Sequence, residues 1–135
     1  MKLTLRPILH GPAFRIYGLV FDGSCETQDF LAQAEQDDAD EFASLVALLD
    51  RTTKHGPPKN KEKSREVGDG IYEFKSKSLR ICYFYDSGKM IICTHGFGKP
   101  AKKVQDREIK RAGALKQTYF NLKVKSAILI EKSEP

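Results

Sequence analysis

An α+β fold is predicted for this chain from three observations. Aromatic and β-branched runs flank a helical region, apolar residues recur at helical spacing between Phe30 and Leu49, and short turns link three consecutive strand-like runs after Gly70. The order reads strand, helix, helix, three strands, helix. It gives a mainly antiparallel four-stranded sheet with a helical hairpin on one face and a C-terminal helix. At 135 residues, 40% hydrophobic and 30% charged, the chain suits a single domain spanning 1–135, because two separate cores would each bury too little apolar surface.

Taken in order, Phe14 to Phe21 reads as the first strand, stopped by Asp22-Gly23-Ser24, with Gly18 suggesting a bulge. Thr27 is placed as N-cap of a short helix whose face carries Phe30, Leu31 and Ala34. Asp38 and Glu41 have the spacing of an acidic capping box, and Phe42, Leu45, Val46 and Leu49 follow at three- and four-residue intervals. A second helix is therefore predicted from about Ala39 to Thr53, ended by Gly56-Pro57-Pro58. Residues 59–66 mix charges without apolar periodicity and read as an exposed charged loop.

The strands Ile71–Lys75, Leu79–Tyr85 and Met90–Phe97 are joined by connections short enough for antiparallel hairpins, so they read as a meander. Ile109, Ala112, Leu115, Tyr119 and Leu122 then form a helical stripe, predicting a helix from about Val104 to Asn121. The tail, 123–135, is open between a strand and a helical turn, and 1–13 between pairing with the sheet and lying loose. In this reading one sheet face stays free for a partner.

The net charge of +5 and pI near 9.1 are compatible with a nucleic-acid or acidic-protein partner but are common among soluble proteins. No apolar run approaches the roughly 20 residues of a membrane span, and Arg6, Pro7, His10 and Arg15 interrupt any signal-peptide core. A cytoplasmic location without membrane association is expected. Cys25, Cys82 and Cys93 have no CxxC spacing and read as small buried hydrophobes. His10 and His55 lack a metal-ligand pattern, so no metal is assigned, and Gly96-Phe97-Gly98-Lys99 lacks the longer phosphate-loop arrangement. No cofactor is expected.

The positive charge that follows the meander makes a phosphate-bearing partner the first idea to weigh against plain surface solvation. Arg80 is predicted to point away from Leu79, Ile81 and Tyr83; its guanidinium suits either a phosphate or a structural carboxylate partner. Lys99, Lys102 and Lys103 follow the last meander strand and Arg107 lies on the final helix, either positioning RNA phosphates or simply solvating a surface. Strict alternation places His95 on one face with Ile91, Cys93 and Phe97. This favours a buried, hydrogen-bonded role, with acid/base chemistry the other reading. Tyr85 is a candidate for stacking on a base, and Tyr119 a second candidate acid/base group, although both residue types are commonly core.

The block Ile71-Tyr72-Glu73-Phe74-Lys75, Leu79-Arg80-Ile81-Cys82-Tyr83-Phe84-Tyr85, Ile91 through Lys99 with its His95-Gly96-Phe97, then Glu108-Ile109 and Ala112 resembles toxins of the RelE/ParE superfamily, particularly the HigB-like, phage Gp49-like branch. The resemblance covers roughly 67–120. It implies a RelE-like fold and the toxin of a type II toxin–antitoxin system, bacterial or phage-encoded. Such a toxin is a ribosome-dependent mRNA endoribonuclease, with mRNA on the ribosome as its target and a cognate, helix-turn-helix antitoxin as its partner. By position, Arg80 matches the arginine of the family's central strand and Lys75 its basic residue one strand earlier, which with Lys99 makes the expected catalytic set. Glu73 stands where RNA-cleaving relatives often carry positive charge. Two other readings follow from the same fold: a gyrase inhibitor of the ParE type, or a phage-derived nucleic-acid- or protein-binding module.

Overall fold

The computed structural model describes residues 3–98, 102–125 and 127–132. The elements are β1 (Leu3–His10), β2 (Arg15–Phe21), β3 (Ser24–Cys25), α1 (Glu26–Asp37), α2 (Ala39–His55), β4 (Ser64–Gly68), β5 (Ile71–Ser76), β6 (Leu79–Asp86), β7 (Met90–Gly98), α3 (Lys102–Val124) and β8 (Ile128–Ile130). Among the described residues they form one mixed eight-stranded sheet, ordered β4-β5-β6-β7-β2-β1-β8 with β3 paired to β2. The α+β class and the meander follow the sequence reading, and most pairings are antiparallel, but the sheet has eight strands rather than four and is mixed. β2 runs parallel to β7, and β1 parallel to β8.

The additional strands have physical origins. β1 buries Leu3 and Leu5 by simple alternation, and Pro7, which has no N–H to donate, sits where the β1–β2 register shifts. β4 occupies part of the expected charged loop. Ser64 is buried while Arg65 and Glu66 are exposed, a charge pattern that blunts a sheet edge and hides the strand from a hydrophobic scan. Within the described part of the tail, Lys123 and Val124 end α3 and Ile128–Ile130 form the short parallel strand β8. No described helix is long and apolar enough to cross a membrane.

Two local expectations change. Gly18 marks no bulge, since its register runs continuously against Arg6 and Cys93. A side chain there would put Cβ 2.6 Å from the Cys25 sulfur, so close packing requires the glycine. Thr27 is not the N-cap: Cys25 is, and Thr27 lies fully buried within α1. The Asp38 cap is as predicted, its side chain accepting from the Glu41 N–H at 3.0 Å. The Glu41 carboxylate does not reach back to complete the box. It accepts from the Ser78 N–H at 2.6 Å and so ties α2 to the β5–β6 turn.

The hairpin of α1 and α2 covers one sheet face over Ile16, Phe74, Ile81, Tyr83, Ile91 and Cys93, with Leu45 and Leu49 supplied by α2. Gly96 lets α1 approach this face, because a Cβ there would meet the Phe30 ring at 2.2 Å. α3 lies on the other face, placing Ala112 and Tyr119 over Leu5, Tyr17, Cys82, Phe84 and Ile92. The expected free face is therefore occupied. The stripe of α3 buries enough apolar surface that leaving it in water would be the costlier arrangement.

Candidate functional site

Along β6 the side chains alternate as the strand period requires. Leu79, Ile81, Tyr83 and Tyr85 face the helical hairpin, and Cys82 and Phe84 face α3. Arg80 shares the α3 face. Pairing then brings Lys75 beside Arg80, Glu73 beside Cys82, and Arg65 of β4 beside Glu73. One carboxylate thus stands among three cations at the end of the β4–β5–β6 ribbon.

Glu73 is 0% exposed and Arg80 5%. Arg80 Nε lies 3.7 Å and an Arg65 terminal nitrogen 3.8 Å from the same Glu73 oxygen, Oε1, which accepts no hydrogen bond. These separations exceed those of charge-assisted hydrogen bonds, so the attraction is coulombic rather than bidentate. The other oxygen, Oε2, accepts from Gln105 Nε2 of α3 at 3.3 Å. Arg80 is oriented from its far side by donating to the Lys77 and Leu79 carbonyls at 2.6 and 2.9 Å. Lys75 is half-buried. Desolvation, then repulsion from Arg65 and Arg80, lowers its pKa, with Glu73 opposing.

His95 reaches this face through an irregularity. Cys82 pairs with His95 but Tyr83 pairs with Cys93, so β7 carries one extra residue at this point. Ile91 and Cys93 stay with the hairpin, while His95 and Phe97 turn toward α3, correcting the shared face expected from strict alternation. His95 is 2% exposed. Nδ1 bonds Thr94 Oγ1 at 3.0 Å, and Nε2 lies 2.7 Å from Glu108 Oε2 of α3, close but out of line for a hydrogen bond. Arg111, bonded to Glu26 at 2.6 Å, links the same end of α3 to α1.

Burial, and next the Arg111 charge, lower the His95 pKa against the pull of Glu108. The sign of its effect on stability follows. The unfolded chain takes the proton at its ordinary pKa of about 6.5 while the folded one resists it. Stability is therefore full above that pH and is lost as pH falls through the folded value. The melting temperature is expected to drop between about pH 7.5 and 5.5, and His95→Gln to flatten part of that slope. His10, also lowered by burial, accounts for the remainder. A slope unchanged in His95→Gln would refute this assignment.

The other predicted residues are dispersed. Tyr119 packs on Phe84 and donates to Asp86 Oδ2 at 2.5 Å, with Lys123 Nζ 2.7 Å from Oδ1 of the same carboxylate. Asp86 is six residues along β6 from Arg80, about 20 Å at strand rise, so the structure does not bring Tyr119 to the cluster. Burial, then the bond to Asp86, raises its pKa. Tyr85 is on the opposite sheet face. Arg107 is exposed on α3. Lys99 lies outside the described residues, as do the side chains of Lys102 and Lys103, whose backbone opens α3. Arg65 and Gln105 escaped the sequence reading, and Glu108 entered it only as part of the family block, because they meet the cluster only through edge pairing and helix docking. Cys82, buried beside Glu73, has its thiol pushed up to about 12 by desolvation first and then by the two nearby carboxylates.

The stretch that carries the cluster, from the helical hairpin through the meander into α3, marks the chain as a phage-derived toxin-like module by its family match. The chain belongs to the family "Phage derived protein Gp49-like (DUF891)", whose model matches residues 31–117, within the RelE/HigB-like toxin superfamily. The match contains Arg65, Glu73, Lys75, Arg80, His95 and Glu108, whereas β1, β2 and β8 lie beyond it. No curated protein matches the chain.

Proposed function

We propose that the chain is the toxin of a type II toxin–antitoxin system and cuts mRNA on the ribosome without a metal, by attack of the 2′-hydroxyl on the adjacent phosphate. The observation that carries this reading is the convergence of Arg65, Lys75 and Arg80 on one face, with His95 one strand away. Arg80 and Lys75 would stabilise the phosphorane. Lys99, Lys102, Lys103 and Arg107 would position the RNA backbone, and His95, oriented by Glu108, would transfer the proton. The antitoxin, expected to be a helix-turn-helix protein, would oppose access to these cations. Both Arg80 and His95 are covered by the first turns of α3, so RNA would reach them only after that end of the helix moves away.

A second reading is favoured by Glu73. Its carboxylate occupies Arg80 as a substrate phosphate would, which suits a binding module that does no chemistry. Inducible expression in a bacterium, followed by mapping of RNA 5′ ends, tests both. Ribosome-associated cuts that vanish in the stable double variant Glu73→Leu/Arg80→Met support the nuclease. Growth arrest with intact message points to the binding module, and DNA damage preceding loss of translation would point to gyrase.

A further inference from the structure

On the face opposite the cation cluster, α2 stops at Gly56 and the Pro57-Pro58 turn leaves the outer end of the sheet uncovered. The result is a groove of about 600 Å³, floored by Tyr72 and Tyr85 and edged by Lys59 and Lys61, within the size range of small-ligand sites; Arg65 borders it too, but its guanidinium turns to Glu73 on the other face. The two phenol rings stand edge to face, 4.9 Å apart at 74°, and both are half-buried, so each keeps an open surface. Beneath them Tyr83 is wholly buried, its hydroxyl bonded to Ser64 Oγ at 2.7 Å, and stacks on Phe74 at 4.0 Å. That layer makes the floor rigid. Glu66, the one carboxylate on the rim, accepts from the Gly70 N–H at 3.1 Å.

We infer that this groove binds an unpaired nucleotide of an RNA strand, with a base against Tyr85 and Tyr72 and the flanking phosphates on Lys59 and Lys61. The inference rests on the RNA-directed reading above but assigns a second contact, separated from the cleavage cluster by the thickness of the sheet. The chemistry fits single strands. An aromatic platform gains from any exposed base face, and adjacent amines neutralise the backbone without reading sequence. A duplex offers no free base face to such a platform.

The test is the affinity of the full chain for a fluorescently labelled oligouridylate, compared with an RNA duplex of equal length across a salt series. Tyr85→Ala is expected to weaken oligouridylate binding about tenfold, within the roughly 5- to 150-fold range of a lost stacking contact. Tyr85→Phe keeps the ring and should stay within about twofold. The double variant Lys59→Ala/Lys61→Ala alters exposed residues only, and should reduce the salt slope by about 1.4, two phosphates at about 0.7 each. An unchanged slope in that variant, or equal losses for duplex and single strand in Tyr85→Ala, overturns the inference, as does a groove whose variants impair only binding of a protein partner. Affinity and cutting, measured side by side, separate the two readings. Oligouridylate binding through Tyr85 in a chain that cuts no message refutes the nuclease and leaves the groove; message cutting with RNA affinity indifferent to Tyr85 refutes the groove alone.

Discussion

Arg80→Ala is expected to cost about 3 kcal/mol of folding stability or more, because it leaves a buried carboxylate facing only one long ion pair. Glu73 would retain Arg65, whose side chain is 43% exposed and 3.8 Å away, and the Gln105 amide. In a domain of this size the loss corresponds to a fall in melting temperature of roughly 10 °C. Removing both charges is expected to behave differently. Glu73→Leu combined with Arg80→Met should lie within about 1 kcal/mol of the parent, since a buried ion pair replaced by apolar groups of similar volume is often neutral or stabilising. Urea denaturation of the three proteins checks this.

The same variants decide the functional role of Arg80. If its guanidinium stabilises the cleaved phosphate, the double variant should fold normally and still lose cleavage about 100-fold or more, the usual cost of a missing transition-state donor. A stable double variant that cuts like the parent would confine Arg80 to structure. Loss of cutting in Arg80→Ala alone would be ambiguous, because that protein is also destabilised, and the restored fold of the double variant removes the ambiguity.

Phe84→Ala is expected to cost about 4 kcal/mol, in the range of large aromatic truncations in a well-packed core. Phe84 is fully buried and is the sheet residue on which the second half of α3 rests, with ring centroids 5.2 Å from Tyr119 and 5.6 Å from Phe120. Amide exchange should quicken first in α3 and β8, which hold few of the core side chains, and later in β6 and β7. Uniform quickening across the sheet would mean that α3 is not a separable unit. The first turns of α3 are held differently, through Gln105 on Glu73 and Glu108 on His95. Polar contacts of this kind are the weaker fastening, so the end of α3 covering the cation cluster is also the end most easily released.

The helical hairpin was legible because Phe42, Leu45 and Leu49 repeat at a spacing only a helix can use, and Asp38 marks the start. The meander was legible because Ile81, Tyr83 and the β-branched residues around Ile91 sit between turns too short for any crossover. Arg80 could be assigned to its face by counting alone. β4 was missed because an exposed edge is rich in charge, and β8 because three residues carry too little pattern. The parallel contact of β2 with β7 joins segments far apart in the chain and leaves no local trace.

By itself the sequence determined which segments become helices and which become the meander, because periodicity and capping act over a few residues. Tertiary structure decided the site. One extra residue in β7 turns His95 from the hairpin face to the α3 face, and no period-two pattern records such an insertion. Docking of α3 then sets Glu108 against His95 and Gln105 against Glu73, and edge pairing adds Arg65. Arg80, which counting placed on a face expected to be free, becomes part of a buried cluster, because covering an apolar sheet face outweighs keeping it in water.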